Sequence, residues 1–291
     1  MRTLVKGVIP GPILRHVRAV LTSRNQQKLL QACERGKEIR IKPDNRVEHY
    51  FHFLFDLTLP LWRLMAASPP DVTFALQPFG IFTPRLEQLF PGRVRIEDAD
   101  EAGSPLRRER LLGMNPQFVH LSYRHLEAFK QHVLNVLEID ANTPRDQVLL
   151  IERLPPNEYF AKHAVKRGAG ASRRSIPNHD ELAEAIRSMI EAPFEFHNVQ
   201  LENMPFAEQV RLFDRAALVI GQHGAGLANC LWTRPGSQVV ELTHNPSLAH
   251  FQCISSAMGH QHFIHRTAGN HAPVDVNAIV ALIRSSVSLS C

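Results

Sequence analysis

The chain has little to tie it together covalently. Its four cysteines, Cys33, Cys230, Cys253 and Cys291, lie far apart with no pair at metal-ligand spacing. That excludes a disulfide framework and a cysteine-built zinc site, and it fits a reducing compartment. No apolar window reaches membrane-spanning length, and no segment has the short apolar core and cleavage site of a signal peptide, so a cytoplasmic protein is expected. Several catalytic signatures are also missing. There is no His-Glu-x-x-His, no Walker loop, no Gly-x-Gly-x-x-Gly and no serine at the apex of a nucleophile elbow. Sixteen histidines are present, and His244, His250, His260, His262, His265 and His271 crowd the end. None has the paired spacing of a zinc site, so no metal is expected.

Acidic residues are absent from the first 33 positions, which carry Arg2, Lys6, Arg15, Arg18, Arg24 and Lys28. From Ile13, the helical spacing of Leu14, Val17, Val20 and Leu21 makes this a basic helix, either packed on the body or in peripheral contact with a membrane. The formal charge of +5 is too small to imply nucleic acid and favours an anionic ligand or surface. With 44% hydrophobic and 21% charged residues, the composition is that of a soluble globular protein able to bury a sizeable core.

Strand-like and helix-like segments alternate. In the first half, Glu38–Ile41, Val72–Leu76, Arg93–Ile96 and Phe118–Leu121 are strand candidates, and His49–Met65 and Ser122–Glu138 are helices. A turn-rich segment, Asp140–Asp146, suggests a boundary between domains 1–145 and 146–291. In the second half, Gln147–Glu152 is a strand and Arg153–Pro177 a polar loop. Asn178 with Glu181 forms a capping pair for a helix running to about Glu191. Phe194–Val199 is a strand, and Pro205 opens a helix through Asp214. Ala217–Ile220 and Gln238–Leu242 are strands, and a last helix spans about Val274–Ser288 behind Asp275 as a possible cap. This rhythm predicts an α/β fold with a parallel, doubly wound sheet, whose ligands bind beyond the carboxyl ends of the strands.

Three groups of residues could carry chemistry. The turn Gly221-Gln222-His223-Gly224-Ala225-Gly226-Leu227-Ala228-Asn229 follows a strand and opens a helix. Gly224 and Gly226 would let the backbone approach a ligand and take positive φ, and the helix dipole would favour an anion. His223 would donate to a phosphate or sugar hydroxyl, or cap the turn. Arg153, Arg173 and Arg174 offer planar forks matched to phosphate oxygens, or line a solvated basic loop. Glu241, at a strand end, would hold ribose hydroxyls or face solvent. In the first half, His52 and Asp56 are four apart, hence on one helix face. They make a usable general base or a polar face packed on the other domain. Asp98-Ala99-Asp100 superficially matches a metal-binding acid pair, but it sits in an acidic turn and reads as a solvated loop.

Together these residues resemble glycosyltransferase family 61. The resemblance runs through Arg153, Arg173-Arg174, Asn178 and Glu181, then Phe206, Glu208 and Gln209, then Gly221-x-His-Gly-Ala-Gly-Leu-x-Asn229. Pro235-Gly236 and Val239-Val240-Glu241 follow. The first half adds Tyr50, His52, Leu54, Asp56 and Pro60, with the run between Asp56 and Pro60 one residue longer than usual. The resemblance implies a GT-B architecture of two Rossmann-like domains facing across a cleft, the N-terminal one trimmed to fit this length. It implies inverting transfer of a sugar from a UDP-sugar donor to a glycan or glycolipid hydroxyl, in surface polysaccharide synthesis, and the combined positive charge of the arginines and the turn would make a metal dispensable. N-acetylglucosamine, xylose and arabinose are the sugars that members transfer. It assigns the base to Asp56 or His52, and the donor to Arg153, Arg173, Arg174, His223, Gly224, Ala225, Gly226, Leu227, Asn229 and Glu241. The alternative is a catalytically silent nucleotide-sugar-binding or scaffold protein of the same fold.

Overall fold

The computed structural model describes residues 11–103, 107–140, 142–156 and 170–286. Arg2, Lys6, most of the loop expected after Arg153, and the end of the last expected helix lie outside the described residues. The chain divides into two compact units, Met1–Ser122 and Tyr123–Cys291. The expected boundary near Asp146 therefore moves forward by one helix. The reason is packing: Tyr123–Val136 buries Leu126, Phe129, Val133 and Leu134, and Lys130 Nζ bonds Thr233 O at 3.2 Å and pairs with Asp214 Oδ1 at 2.8 Å, both in the second unit.

Among its described residues the first unit holds four parallel strands, β1 Glu38–Pro43, β2 Thr73–Leu76, β3 Val94–Ile96 and β4 Glu109–Leu111, in the order β3-β2-β1-β4. Phe118–Leu121 is not among them. Phe118 and Val119 both donate their amides to Asn115 O, forming a turn around Asn115-Pro116, and the fourth strand is the short, charged β4. Helix Gly11–Arg35 packs through buried Leu29 and Cys33. Its Arg18 pairs with Asp44 at 2.8 Å and its Lys28 with Glu109 at 2.9 Å, while Val17 and Leu21 stay 43% and 47% exposed. No helix among the described residues is long and apolar enough to cross a membrane.

The second unit is a five-stranded parallel sheet in the order β6-β5-β7-β8-β9. Its strands are β5 Gln147–Glu152, β6 Glu195–Gln200, β7 Ala216–Gln222, β8 Gln238–Thr243 and β9 Gln261–Arg266. Every residue of β7 and β8 is buried, as expected when helices cover both faces of a parallel sheet. Val148, Leu150, Leu218, Ile220, Val240 and Leu242 form one core with Leu182, Ile186, Ile279 and Ile283. Truncating one such aliphatic to alanine costs about 2–5 kcal/mol.

Two cap expectations meet different fates. Asp275 Oδ1 accepts Ala278 N at 2.9 Å, capping helix Val276–Ser286. Asn178 makes no side-chain cap for helix His179–Arg187, which ends four residues earlier than expected. Its amide instead clamps Val274, donating to its oxygen at 3.0 Å and accepting its N–H at 2.9 Å.

Candidate functional site

In the first unit, residues 50–66 form one continuous helical run in three registers: an α turn Tyr50–His52, a π-helix Phe53–Thr58 and an α-helix Leu59–Ala66. A π turn accommodates one extra residue, and it falls where the sequence is one residue longer than the family block. Within it Leu59 N donates to Leu54 O. Pro60 has no N–H to offer Phe55 O, and that oxygen accepts Met114 N at 2.7 Å instead.

This contact brings the chain after β4 against Asp56. Gly113 lies so close that an added Cβ would collide with the Asp56 carboxylate. Asp56 is fully buried, and its Oδ2 receives His52 Nδ1 at 2.6 Å and Asn45 Nδ2 at 2.7 Å. His52 keeps 36% of its side chain exposed against 1% for Asp56. With Nδ1 donating to the carboxylate, Nε2 is the basic nitrogen, and the imidazole is the member of the pair that solvent reaches.

In the second unit, the strand ends converge. Arg153 follows β5, and its Nη2 donates to Gly170 O at 3.0 Å. Gly170 has φ +53°, and a Cβ there would strike Leu154 O. Ala171 N also bonds Leu154 O, at 2.7 Å. The left-handed glycine thus delivers the short helix Gly170–Arg173 to the end of β5. Burial lowers the affinity of Arg153 for its proton, Glu202 opposes that, and repulsion from Arg173 adds to it. Burial acts likewise on Arg174, and with repulsion from Arg173 and Arg153 brings it to about 10. Three guanidinium groups therefore repel one another at one sheet edge. Arg174 is anchored by Nε to Asn270 Oδ1 at 3.1 Å, and Arg173 is exposed.

The glycine turn differs from expectation in three ways. Gly224 is extended, and neither it nor Gly226 takes the left-handed conformation. What needs the missing side chains is packing: the Arg153 guanidinium occupies the space a Gly224 Cβ would take, and a Gly226 Cβ would meet Ile151 Cγ2 and Leu201 Cδ1, each at 3.2 Å. The helix that follows, Ala225–Leu231, is a seven-residue 3₁₀ segment, so little dipole is on offer. Leu227 is buried and its amide is already bonded to Gly224 O at 3.0 Å. Asn229 is also buried, and its amide bonds Gly226 O at 3.1 Å and Gln209 Oε1 at 3.3 Å. These two residues build the turn from beneath.

Glu241 neither faces solvent nor is left open for a ribose. It is 1% exposed, and its two oxygens receive His223 Nδ1 and, at 2.9 Å, His262 Nε2. Burial alone would raise its pKa, but hydrogen bonds from both imidazoles hold it below the usual carboxylate range. His223 is edge-on to Phe251 at 4.9 Å, and His262 Nδ1 meets Ser255 Oγ at 2.9 Å. Glu241 thus orients His223 and leaves its Nε2 as the polar atom for a ligand. Among the described residues no group of three or more His, Cys, Asp or Glu is arranged to hold a metal.

Sequence reading missed Asn45, Gly113, Gly170 and His262. Asn45 and Gly113 carry a signal only in retrospect, as polar or small residues just beyond the carboxyl ends of β1 and β4. His262 was hidden among the other histidines, and only the β8–β9 pairing, with Val239 opposite His262, brings it diagonally to Glu241.

The architecture is that of an α/β protein whose polar side chains gather beyond the carboxyl ends of parallel strands. The family model for Glycosyltransferase 61 matches residues 50–240, and the chain belongs to that family of sugar-transferring enzymes. Similar proteins include the EGF domain-specific O-linked N-acetylglucosamine transferases of Gallus gallus and Mus musculus, each 28% identical over 115 residues, 40% of this chain and 19% of theirs. That of Canis lupus familiaris is 27% identical over the same extent. The chain spans about a fifth of the length of these relatives over the matched region.

Proposed function

We infer that the protein transfers a sugar from a nucleoside diphosphate, uridine diphosphate in the first instance, to a glycan or glycolipid hydroxyl with inversion, in a GT-B arrangement. The observation that carries this reading is the cluster of Arg153, Arg173 and Arg174. Their mutual repulsion is relieved when an anion of matching charge binds, and a leaving diphosphate is such an anion. His223, held by Glu241, donates to a phosphate or sugar oxygen.

His52 is the base. Its Nε2 takes the proton of the acceptor hydroxyl as the bond to the sugar forms. Asp56 fixes the tautomer and stabilises the imidazolium, as in other imidazole–carboxylate couples. The guanidinium groups supply the charge neutralisation for which other transferases use a divalent metal, so turnover should survive chelation. The same reading favours a cytoplasmic setting and surface polysaccharide as product. The names of the relatives put N-acetylglucosamine first among the sugars to test.

The test is calorimetric titration with uridine diphosphate sugars, followed by transfer assays on glycan acceptors with and without EDTA. Binding with stereochemical inversion in the product supports the reading. Absence of binding to any nucleoside diphosphate or to inorganic pyrophosphate overturns it.

A further inference from the structure

The Asp56 carboxylate is held from two directions, and both lead away from its own helix. Besides His52, its Oδ2 receives Asn45 Nδ2 at 2.7 Å, and Asn45 lies two residues beyond the end of β1. Oδ1 is buried and has no hydrogen-bond partner among the described residues. It is faced by Gly113, two residues beyond β4, where an added Cβ would collide with that oxygen. With no donor to hold it, Oδ1 depends on packing against Gly113. The exits of β1 and β4 therefore set the carboxylate between them.

One side chain joins the two exits. Arg18, on the helix Gly11–Arg35, uses a single nitrogen for both: Nη2 donates to Asp44 Oδ2 at 2.8 Å and to Gly113 O at 3.4 Å. Asp44 precedes Asn45, and consecutive Cα atoms are fixed about 3.8 Å apart, so a shift of one carries the other. The Asp44 side chain is 8% exposed, and its Oδ1 receives Arg110 Nε at 2.9 Å. Burial alone would raise the Asp44 pKa, but hydrogen bonds from Arg18 and Arg110 hold it below the usual carboxylate range. The clamp is thus charge-assisted. The same helix closes the free edge of β4, the last strand in the order β3-β2-β1-β4. Asn25 Nδ2 donates to Arg110 O at 2.8 Å and Asn25 Oδ1 accepts Leu112 N at 3.1 Å, standing in for a neighbouring strand. Arg18 and Asn25 are two turns apart on one face of the helix.

We propose that Arg18 is a positioning residue for the His52–Asp56 couple: it ties the exits of β1 and β4 together, and through Asn45 and Gly113 it aims the carboxylate that orients His52. The basic N-terminal helix is then a working part of the first unit, because its docking fixes the base. The proposal rests on the reading of His52 as the base and adds the group that keeps that base in line.

The experiment compares Arg18→Ala, Arg18→Lys and Lys28→Ala in the full chain. Lys28 pairs with Glu109 from the same helix at 2.9 Å, so its loss tests for a merely structural effect. The first readout is the low-field proton NMR resonance of His52 Nδ1–H, which a fixed bond to a carboxylate protects from exchange and which His52→Ala assigns. The second is steady-state transfer. Arg18→Ala should broaden or abolish the resonance and lower kcat by about 10–10²-fold, the scale of a misplacement of about 1 Å, with KM for the donor unchanged. Arg18→Lys should recover part of both, since an ammonium also offers several N–H groups from one nitrogen. Lys28→Ala should keep both. Should Arg18→Ala fail to fold, Asp44→Asn weakens the clamp without changing its shape and should act in the same direction. An unaltered resonance or kcat in a folded Arg18→Ala chain, an equal loss in Lys28→Ala, or a wild-type chain without the resonance overturns the positioning role. No transfer by the wild-type chain overturns the reading of His52 as base, and the resonance, which needs no sugar donor, still decides the role of Arg18.

Discussion

His52 and Asp56 meet within one stretch of helix, whereas His223 and Glu241 are brought together from the ends of two neighbouring strands. The first carboxylate has a second donor, Asn45, and leaves its imidazole 36% exposed. The second has a second imidazole, His262, and leaves His223 only 8% exposed. One chemical couple is thus built once with an accessible nitrogen and once as a braced, mostly buried assembly. An exposed imidazole on a fixed carboxylate suits proton transfer to an incoming hydroxyl. A buried one suits a fixed hydrogen bond to a bound group.

The largest expected effect separates the two couples directly. His52→Ala should lower kcat by about 10²–10⁴ with donor affinity unchanged in calorimetry. His223→Ala should chiefly weaken donor binding. If both variants lower kcat alone, the contrast fails.

Next comes Glu241→Ala, which removes the partner of two buried imidazoles. Breaking a buried charged pair costs about 3–5 kcal/mol, readable in urea unfolding, whereas Asp56→Asn should leave stability nearer to wild type and act on turnover. Equal loss of stability in both would erase the distinction between a bracing and a catalytic carboxylate.

A smaller effect concerns acid. His260, on the second unit, is buried against Cys230 O and Thr233, and burial lowers its pKa to about 4 from 6.5. Because the unfolded chain binds this proton more readily, stability is lost as pH falls from about 6.5 towards 4, by on the order of 3 kcal/mol. His260→Gln should flatten that slope. An unchanged slope would remove His260 as its source. Glu241 adds its own loss further down, since with a depressed pKa its stabilisation is lost as pH falls from the usual carboxylate range through its own lower value.

The smallest is Asn45→Ala. Losing its bond to the Asp56 carboxylate should cost about 1.5–3 kcal/mol in turnover and shift the pH profile of kcat, with KM for donor constant. A change in donor KM alone would assign Asn45 elsewhere.

What could be read from the sequence follows the range of the interactions involved. Buried β-branched runs such as Val219-Ile220 and Val239-Val240 announced the parallel sheet, because a strand covered on both faces must be apolar throughout. The His52–Asp56 contact was legible because four residues of helix guarantee it. The Glu241 environment was not, since His223 reaches it across 18 positions and His262 across 21, distances that only the strand order closes. Gly224 was picked out for its missing Cβ, and the structure fills that space with the Arg153 guanidinium. The β4 strand escaped because three residues, Glu109–Leu111, alternate too briefly to show a period.

The π turn preserves a phase. Each residue of α-helix advances about 100°, and the π turn takes the added residue into one wider turn, so the dyad stays in phase with the helix Leu59–Ala66. Pro60 then leaves one carbonyl for the strand exit at Met114 to grip. Length in this segment is therefore taken up locally: the π turn carries one more residue than the usual block without breaking the helical run, and it leaves the Phe55 carbonyl free for Met114.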